Sequence, residues 1–189
     1  MLKRLLLPAA LLAMAGAASA QQSSPATTAS GTRTTTANKA PALTPQQQAA
    51  VAKLKQSLAQ HGEQIATMID NNKISDVYDQ FSTVSKPVVQ RDSFVSTISS
   101  DRAKLGKMVS RKLAFVTLRG SNGTPAPGET GTPLPKGLYG NVFFATQFSN
   151  EKQPVRELVS FHFDSDKVWR VSGYTVRATP QPAQAKKSG

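Results

Sequence analysis

Apolar residues recur at three- and four-residue intervals through Val51, Leu54, Leu58, Ile65, Met68 and Ile69, which predicts an amphipathic helix running to about Asn71. Thr44-Pro45-Gln46-Gln47 has the form of a capping box with Pro at the first helical position, where its missing N–H costs nothing, so the helix is expected to begin there. His61 falls on the apolar stripe and reads as a packed, hydrogen-bonded residue rather than a ligand. Gly62 follows it, and because Gly costs about 1 kcal/mol relative to Ala inside a helix, this is the expected place for a kink or break. Ile74, Val77, Tyr78 and Phe81 outline a second, compact helix whose other face carries Asp76 and Asp79. Beyond the breaker Pro87, a third stripe runs through Phe94, Val95, Ile98, Leu105, Met108 and Val109. Its polar side holds Arg102, Lys104, Lys107 and Arg111, the last three sharing a face as the densest basic patch of the chain.

From Arg111 the period changes to two. "RKLAFVTLR", "LYGNVFFATQFS", "PVRELVSFHFD" and "KVWRVSGYTVR" are rich in β-branched and aromatic residues and read as four strands. Short polar links join the last three as an antiparallel meander, while "GSNGTPAPGETGTPLPKG" must be a long exposed loop between the first two. Helices first and strands afterwards predict an α+β fold, with N-terminal helices packed on one face of a four-stranded antiparallel sheet. Alternation places Val155, Val159, Phe161 and Phe163 on one face of the third strand, with Arg156, Ser160 and His162 on the more polar one. In the last strand, Asp164 to Lys167 reads as a hairpin turn and Trp169 with Val171 as core. Regular alternation leaves Arg170 and Tyr174 as candidates for the exposed sheet face.

The ends add an address. "MLKRLLLPAALLAMAGAASAQQSS" has a basic start, a short apolar run and Ala18-Ser19-Ala20, the pattern of a secretory leader cleaved after Ala20. The apolar run is too short for a membrane anchor, so no transmembrane segment is expected after cleavage, and the short leader favours a periplasmic location. Residues 21–43 read as a disordered linker, 44–177 as one α+β domain and 178–189 as a disordered tail. The formal charge is +12, and loss of Lys3 and Arg4 with the leader lowers it by two, to +10. Such a field suits an anionic envelope component or an acidic partner as well as plain solubility. With no Cys, no disulfide or thiolate metal site is available.

The order of elements, "IATMIDNNKISDVYDQFS", Leu105-Gly106, the "RKL" of the first strand and above all "WRVSGY" in the last resemble a family of small exported bacterial proteins, domain-of-unknown-function family four thousand and nineteen. The likeness covers roughly Gly62 to Arg177. It implies a shape similar to nuclear transport factor two and the cystatins, with a helix laid across a curved sheet, and it implies no activity. The helix before Gly62 and the long loop from Gly120 to Gly137 depart from the family pattern.

Folds of that type often hold a pocket between helix and sheet, where Asp79, Tyr139, His162 and Tyr174 would be the candidates for acid–base work. Two distant His residues do not give metal-ligand spacing, and "FDSDK" lacks the alternating acids, central Gly and closing Glu of a calcium loop, so no cofactor is expected. Lys104, Lys107, Arg111, Lys112 and Arg119 could meet phosphates, but no aromatic residues are interleaved with them, which argues against nucleic acid. The reading that remains is a non-catalytic binding module for a protein or small ligand, with Lys104, Lys107, Arg111, His162, Arg170 and Tyr174 as its candidate surface. Two alternatives stand beside it: an immunity or inhibitor protein that neutralises an incoming toxin, and a pocket enzyme acting on a small molecule. The oligomeric state stays open, since the Val51, Leu54, Leu58 stripe could pair with a second copy or fold back on its own sheet.

Overall fold

The computed structural model describes residues 43–124 and 133–177. The expected leader, the tail, all of the linker but its last residue and the centre of the Gly/Pro-rich loop lie outside them. Three helices come first, α1 (Pro45–Asp70), α2 (Ile74–Asp79) and α3 (Arg91–Leu105). Four strands follow, β1 (Met108–Ser121), β2 (Gly137–Phe148), β3 (Val155–Phe163) and β4 (Trp169–Arg177). They form one antiparallel sheet in the order β1-β2-β3-β4, so the fold is the α+β arrangement that the pattern of the chain predicts.

The start of α1 is the expected capping box: Gln47 N–H donates to Thr44 Oγ1 at 3.3 Å and Thr44 N–H to Gln47 Oε1 at 2.9 Å. The helix then runs unbroken through Gly62, which corrects the expected kink. Gly62 is buried, and a Cβ there would lie 3.1 to 3.3 Å from the side-chain carbons of Val142 on β2. Gly140 answers it from the strand, where a Cβ would come within 2.6 Å of Leu58 Cδ1. One glycine on each side lets α1 lie close on the sheet, so these are glycines of approach rather than of flexibility. The part of α1 ahead of Gly62 also folds back on its own sheet: Leu58 is buried and Leu54 packs on the core.

Gly62→Ala is a sharp test of that approach. Helix propensity alone would favour Ala by about 1 kcal/mol. Val142, however, is fully buried and stiff about χ1, so it has little room to give way. The thermal midpoint of Gly62→Ala is therefore expected to fall; an unchanged or raised midpoint would show that Val142 yields.

The core joins α1 to the inner sheet face through Ile65, Ala66, Ile69, Val142, Phe144, Val159 and Phe161, while Phe94 and Ile98 bring in α3. Two helix ends differ from the periodic pattern. Gly106, with φ 79°, terminates α3 at Leu105, so Met108 and Val109 open β1 instead of closing the helix. Likewise α2 stops at Asp79, and Phe81 goes on to form an isolated bridge with Val171, where Ser82 N–H donates to Val171 O at 2.7 Å. That crossing covers part of the outer edge of β4, whereas β1 has no strand on its outer edge among the described residues.

Strand parity is broken once on β4. Ser160 pairs with Gly173 but Phe161 pairs with Val171, leaving Ser172 as an extra residue. Beyond this bulge the faces exchange, so Val171, Tyr174 and Val176 are all buried. Tyr174 is therefore a core residue, correcting its expected place on the exposed face.

Candidate functional site

Three chain segments meet at the end of the β3–β4 hairpin. Ser82 arrives from the stretch after α2, His162 from β3 and Asp164 from the turn, and all three are at most 3 % exposed. Ser82 Oγ donates to Asp164 Oδ1 at 2.5 Å and lies 3.3 Å from His162 Nδ1, which in turn is 2.7 Å from the same carboxylate oxygen. Arg170 donates to Asp164 at 2.9 Å and grips Asp166 at 2.8 and 2.6 Å. Burial by itself would raise the pKa of Asp164, but hydrogen bonds from Ser82, His162, Arg170 and the Thr83 N–H outweigh it and hold the carboxyl below its usual range.

The composition is that of a hydrolase triad, yet the geometry is not. In a triad, Ser meets one imidazole nitrogen and Asp holds the other. Here Ser82 and Asp164 both face Nδ1, while Nε2 is buried without a partner beside Gly137. The Tyr139 ring closes the same side edge-on at 4.9 Å, its hydroxyl donating to Pro135 O. The arrangement ties distant segments together and presents no attacking hydroxyl to solvent. Its acid sensitivity has a definite sign. Because the folded Asp164 binds its proton less readily than the unfolded one, its contribution is complete above the ordinary carboxylate value near 3.8 and is lost as pH falls through the lower folded value. Asp164→Asn should remove that part of the acid-side slope in unfolding titrations; an unchanged slope would place the linkage elsewhere.

A second polar network lies between the helices and the inner sheet face. Arg111 on β1 grips the fully buried Glu157 on β3, with Nε 2.6 Å from Oε2 and Nη2 3.1 Å from Oε1. Thr146 and Tyr174 each donate to Glu157 at 2.6 Å. Arg111 also pairs with Asp70 at the end of α1, and Asp70 accepts from Arg102 of α3, whose guanidinium stacks 4.2 Å over Phe148. Burial, then the neighbouring Glu157 carboxylate, hold the Tyr174 phenol well above its ordinary value, so it remains the donor. For Arg111, burial acts to weaken its hold on the proton, but bonds to Glu157 and Asp70 outweigh it and leave the guanidinium firmly charged.

A groove of about 610 Å³ lies open between α1 and β1, floored by Phe144 and bordered by Lys55, Ala59, Leu113 and Phe115. Leu113 and Phe115 are each 52 % exposed, although both are large apolar residues. The outer face of the sheet is open as well. Register aligns Phe115, Phe143, Leu158 and Thr175 across it, and Phe115 stacks on Phe143 with centroids 4.4 Å apart.

The residues singled out from the sequence are thus scattered. Lys104 is exposed at the end of α3, beside Asp101 at 3.5 Å, and Lys107 is exposed in the link to β1. Arg111 is buried on a strand, so the expected three-residue basic helix face does not exist; its spacing fitted a helix that Gly106 ends too soon. His162 does lie on the outer side of β3 but is sealed, Arg170 is half-buried against two acids, and Tyr174 serves Glu157. Asp79 is exposed and pairs with Arg91, and none of Asp79, Tyr139, His162 and Tyr174 borders the groove described above. Glu157 could have been found: it shares the parity of Val155 and Val159, and a carboxylate on a buried face demands a cation. Ser82 offered no such signal.

Among the described residues, no cluster of His, Cys, Asp or Glu could hold a metal ion, and no helix is long and apolar enough to cross a membrane. A family model described as Protein of unknown function (DUF4019) matches residues 61–174. No curated protein and no solved structure matches the chain.

Proposed function

Since the chain belongs to the DUF4019 family, whose description names no activity, we propose from its own residues that it is a non-catalytic binding module of the periplasm. In this reading it seats an apolar part of a protein or small ligand in the groove between α1 and β1. The observation that carries the proposal is the pair Leu113 and Phe115, half-exposed on a strand with no outer neighbour, beside a groove whose size suits a small ligand. The sealing of Ser82, His162 and Asp164 supports the absence of catalysis. Export, by the leader read in residues 1–20, supports the location.

The test is saturable binding of an apolar fluorescent probe and of straight-chain carboxylates, compared between the intact chain and Leu113→Gln. The variant should bind about tenfold more weakly, equivalent to about 1.4 kcal/mol, with its unfolding midpoint nearly unchanged. No saturable binding by the intact chain, or equal binding by the variant, would remove the groove from consideration.

The bare β1 edge supports a second reading, an immunity or inhibitor protein whose toxin adds a strand there. Cells lacking the chain should then be more sensitive to a toxin delivered into the envelope. Equal survival with and without it would end this reading.

A further inference from the structure

We propose that the outer sheet face, which shares Phe115 with the rim of the α1–β1 groove, is a second binding surface, for an acidic polysaccharide. Strand register builds it in rows. Lys112, Ala145 and Arg156 stand side by side at one end, and Arg119 and Tyr139 at the other. Between them lie the row of Phe115, Phe143, Leu158 and Thr175 and the row of Thr117, Asn141 and Ser160. At about 3.4 Å per strand residue the rows span about 20 Å from Lys112 to Arg119.

The unpaired arginines mark this face. Elsewhere the arginines are engaged: Arg91 with Asp79, Arg102 with Asp70, Arg111 with Glu157 and Asp70, and Arg170 with Asp164 and Asp166. Lys112, Arg119 and Arg156 are exposed and make no ion pair among the described residues. None of the rows contains Asp or Glu. The face is therefore cationic at both ends with no acidic residue within its rows, which complements a polyanion.

The middle rows decide which polyanion. A single-stranded nucleic acid carries a phosphate on every nucleotide and is held by rings that stack on successive bases. This face offers one aromatic station, the stacked Phe115 and Phe143, and its described unpaired cations, Lys112, Arg119 and Arg156, stand at its two ends with none between them. Its remaining groups are hydroxyls and an amide. Ser160 Oγ donates to Asn141 Oδ1 at 2.8 Å, which turns the amide NH₂ of Asn141 into a fixed donor for a ligand oxygen. Widely spaced carboxylates, many hydroxyls and a sugar ring with an apolar flank match these three features together.

Calorimetric titration of the intact chain with an oligogalacturonate of about six sugars tests the assignment, alongside a neutral oligogalactose of equal length, an oligothymidylate and an oligoglutamate. The uronate should bind saturably and the neutral sugar at least about tenfold more weakly. Arg119→Gln and Arg156→Gln should each weaken uronate binding several-fold, the pair together should abolish it, and Phe143→Ser, outside the α1–β1 groove, should weaken it without affecting charge. Leu113→Gln should leave it intact, so the fate of this surface is read separately from that of the α1–β1 groove. Lack of saturable uronate binding, equal binding of the neutral sugar, or tighter binding of the oligonucleotide or the acidic peptide would each overturn the proposal.

Discussion

Arg111→Met is expected to destabilise the fold by about 3–5 kcal/mol, the cost typical of removing one partner from a buried ion pair. A domain of this kind has only about 5–15 kcal/mol to lose, so the variant would be near the edge of folding. The reason lies in what is left behind. Glu157 is fully buried and would keep only the hydroxyls of Thr146 and Tyr174, while Asp70 would keep only Arg102. Replacing both members, Arg111→Met with Glu157→Leu, removes the stranded carboxylate along with the missing cation. That double variant should be more stable than Arg111→Met alone, although Tyr174 and Thr146 lose their acceptor. Denaturant unfolding of the four members of the cycle reads the coupling. Single substitutions costing less than about 1 kcal/mol would mean that water reaches the pair.

Gly137→Ala comes next in expected size, at about 3 kcal/mol, combining an overpacked site with a backbone that disfavours side chains. Gly137 has φ 155°, and an added Cβ would land on Nε2 of the His162 ring. The ring has no free direction of retreat. Asp164 and Ser82 hold its Nδ1, and Tyr139 stands edge-on against it. Gly120, also at the loop end of the β1–β2 pair, provides the control because a Cβ there meets nothing within 4 Å. Gly120→Ala should lie within about 0.5 kcal/mol of the parent. Similar midpoints for both variants would show that His162 moves aside and that its hydrogen bonds are weaker than the geometry implies.

What the chain discloses on its own follows the range of the interactions involved. The start of α1 is local chemistry among Thr44, Pro45 and Gln47, and it is legible to the residue. The four strands are legible because alternation survives wherever one face is buried. Legibility fails where one residue overrides the period: Gly106 ends α3 inside an apparently continuous stripe, and Ser172 exchanges the faces of β4. Gly62 misleads in a different way, since an expected breaker is explained only by Val142, which is 80 positions further along the chain. The candidate sites are less legible still. Ser82 and Asp164 are 82 residues apart, and no spacing rule brings them together. The rows of the outer face depend on register, so the interleaving of Phe115 and Phe143 with Lys112, Arg119 and Arg156 is invisible until the strands are paired.

The two edges of the sheet are unlike, and that asymmetry limits how copies of the chain could associate. Phe81 and Ser82 cross β4 at Val171, whereas β1 has no strand on its outer edge among the described residues. Growth of a continuous sheet into a filament needs two accepting edges on every copy. With one of them obstructed, β1 of one copy can meet only β1 of another, and the pairing then closes on itself. Self-association through the sheet would stop at a two-fold dimer, leaving no template for a third chain.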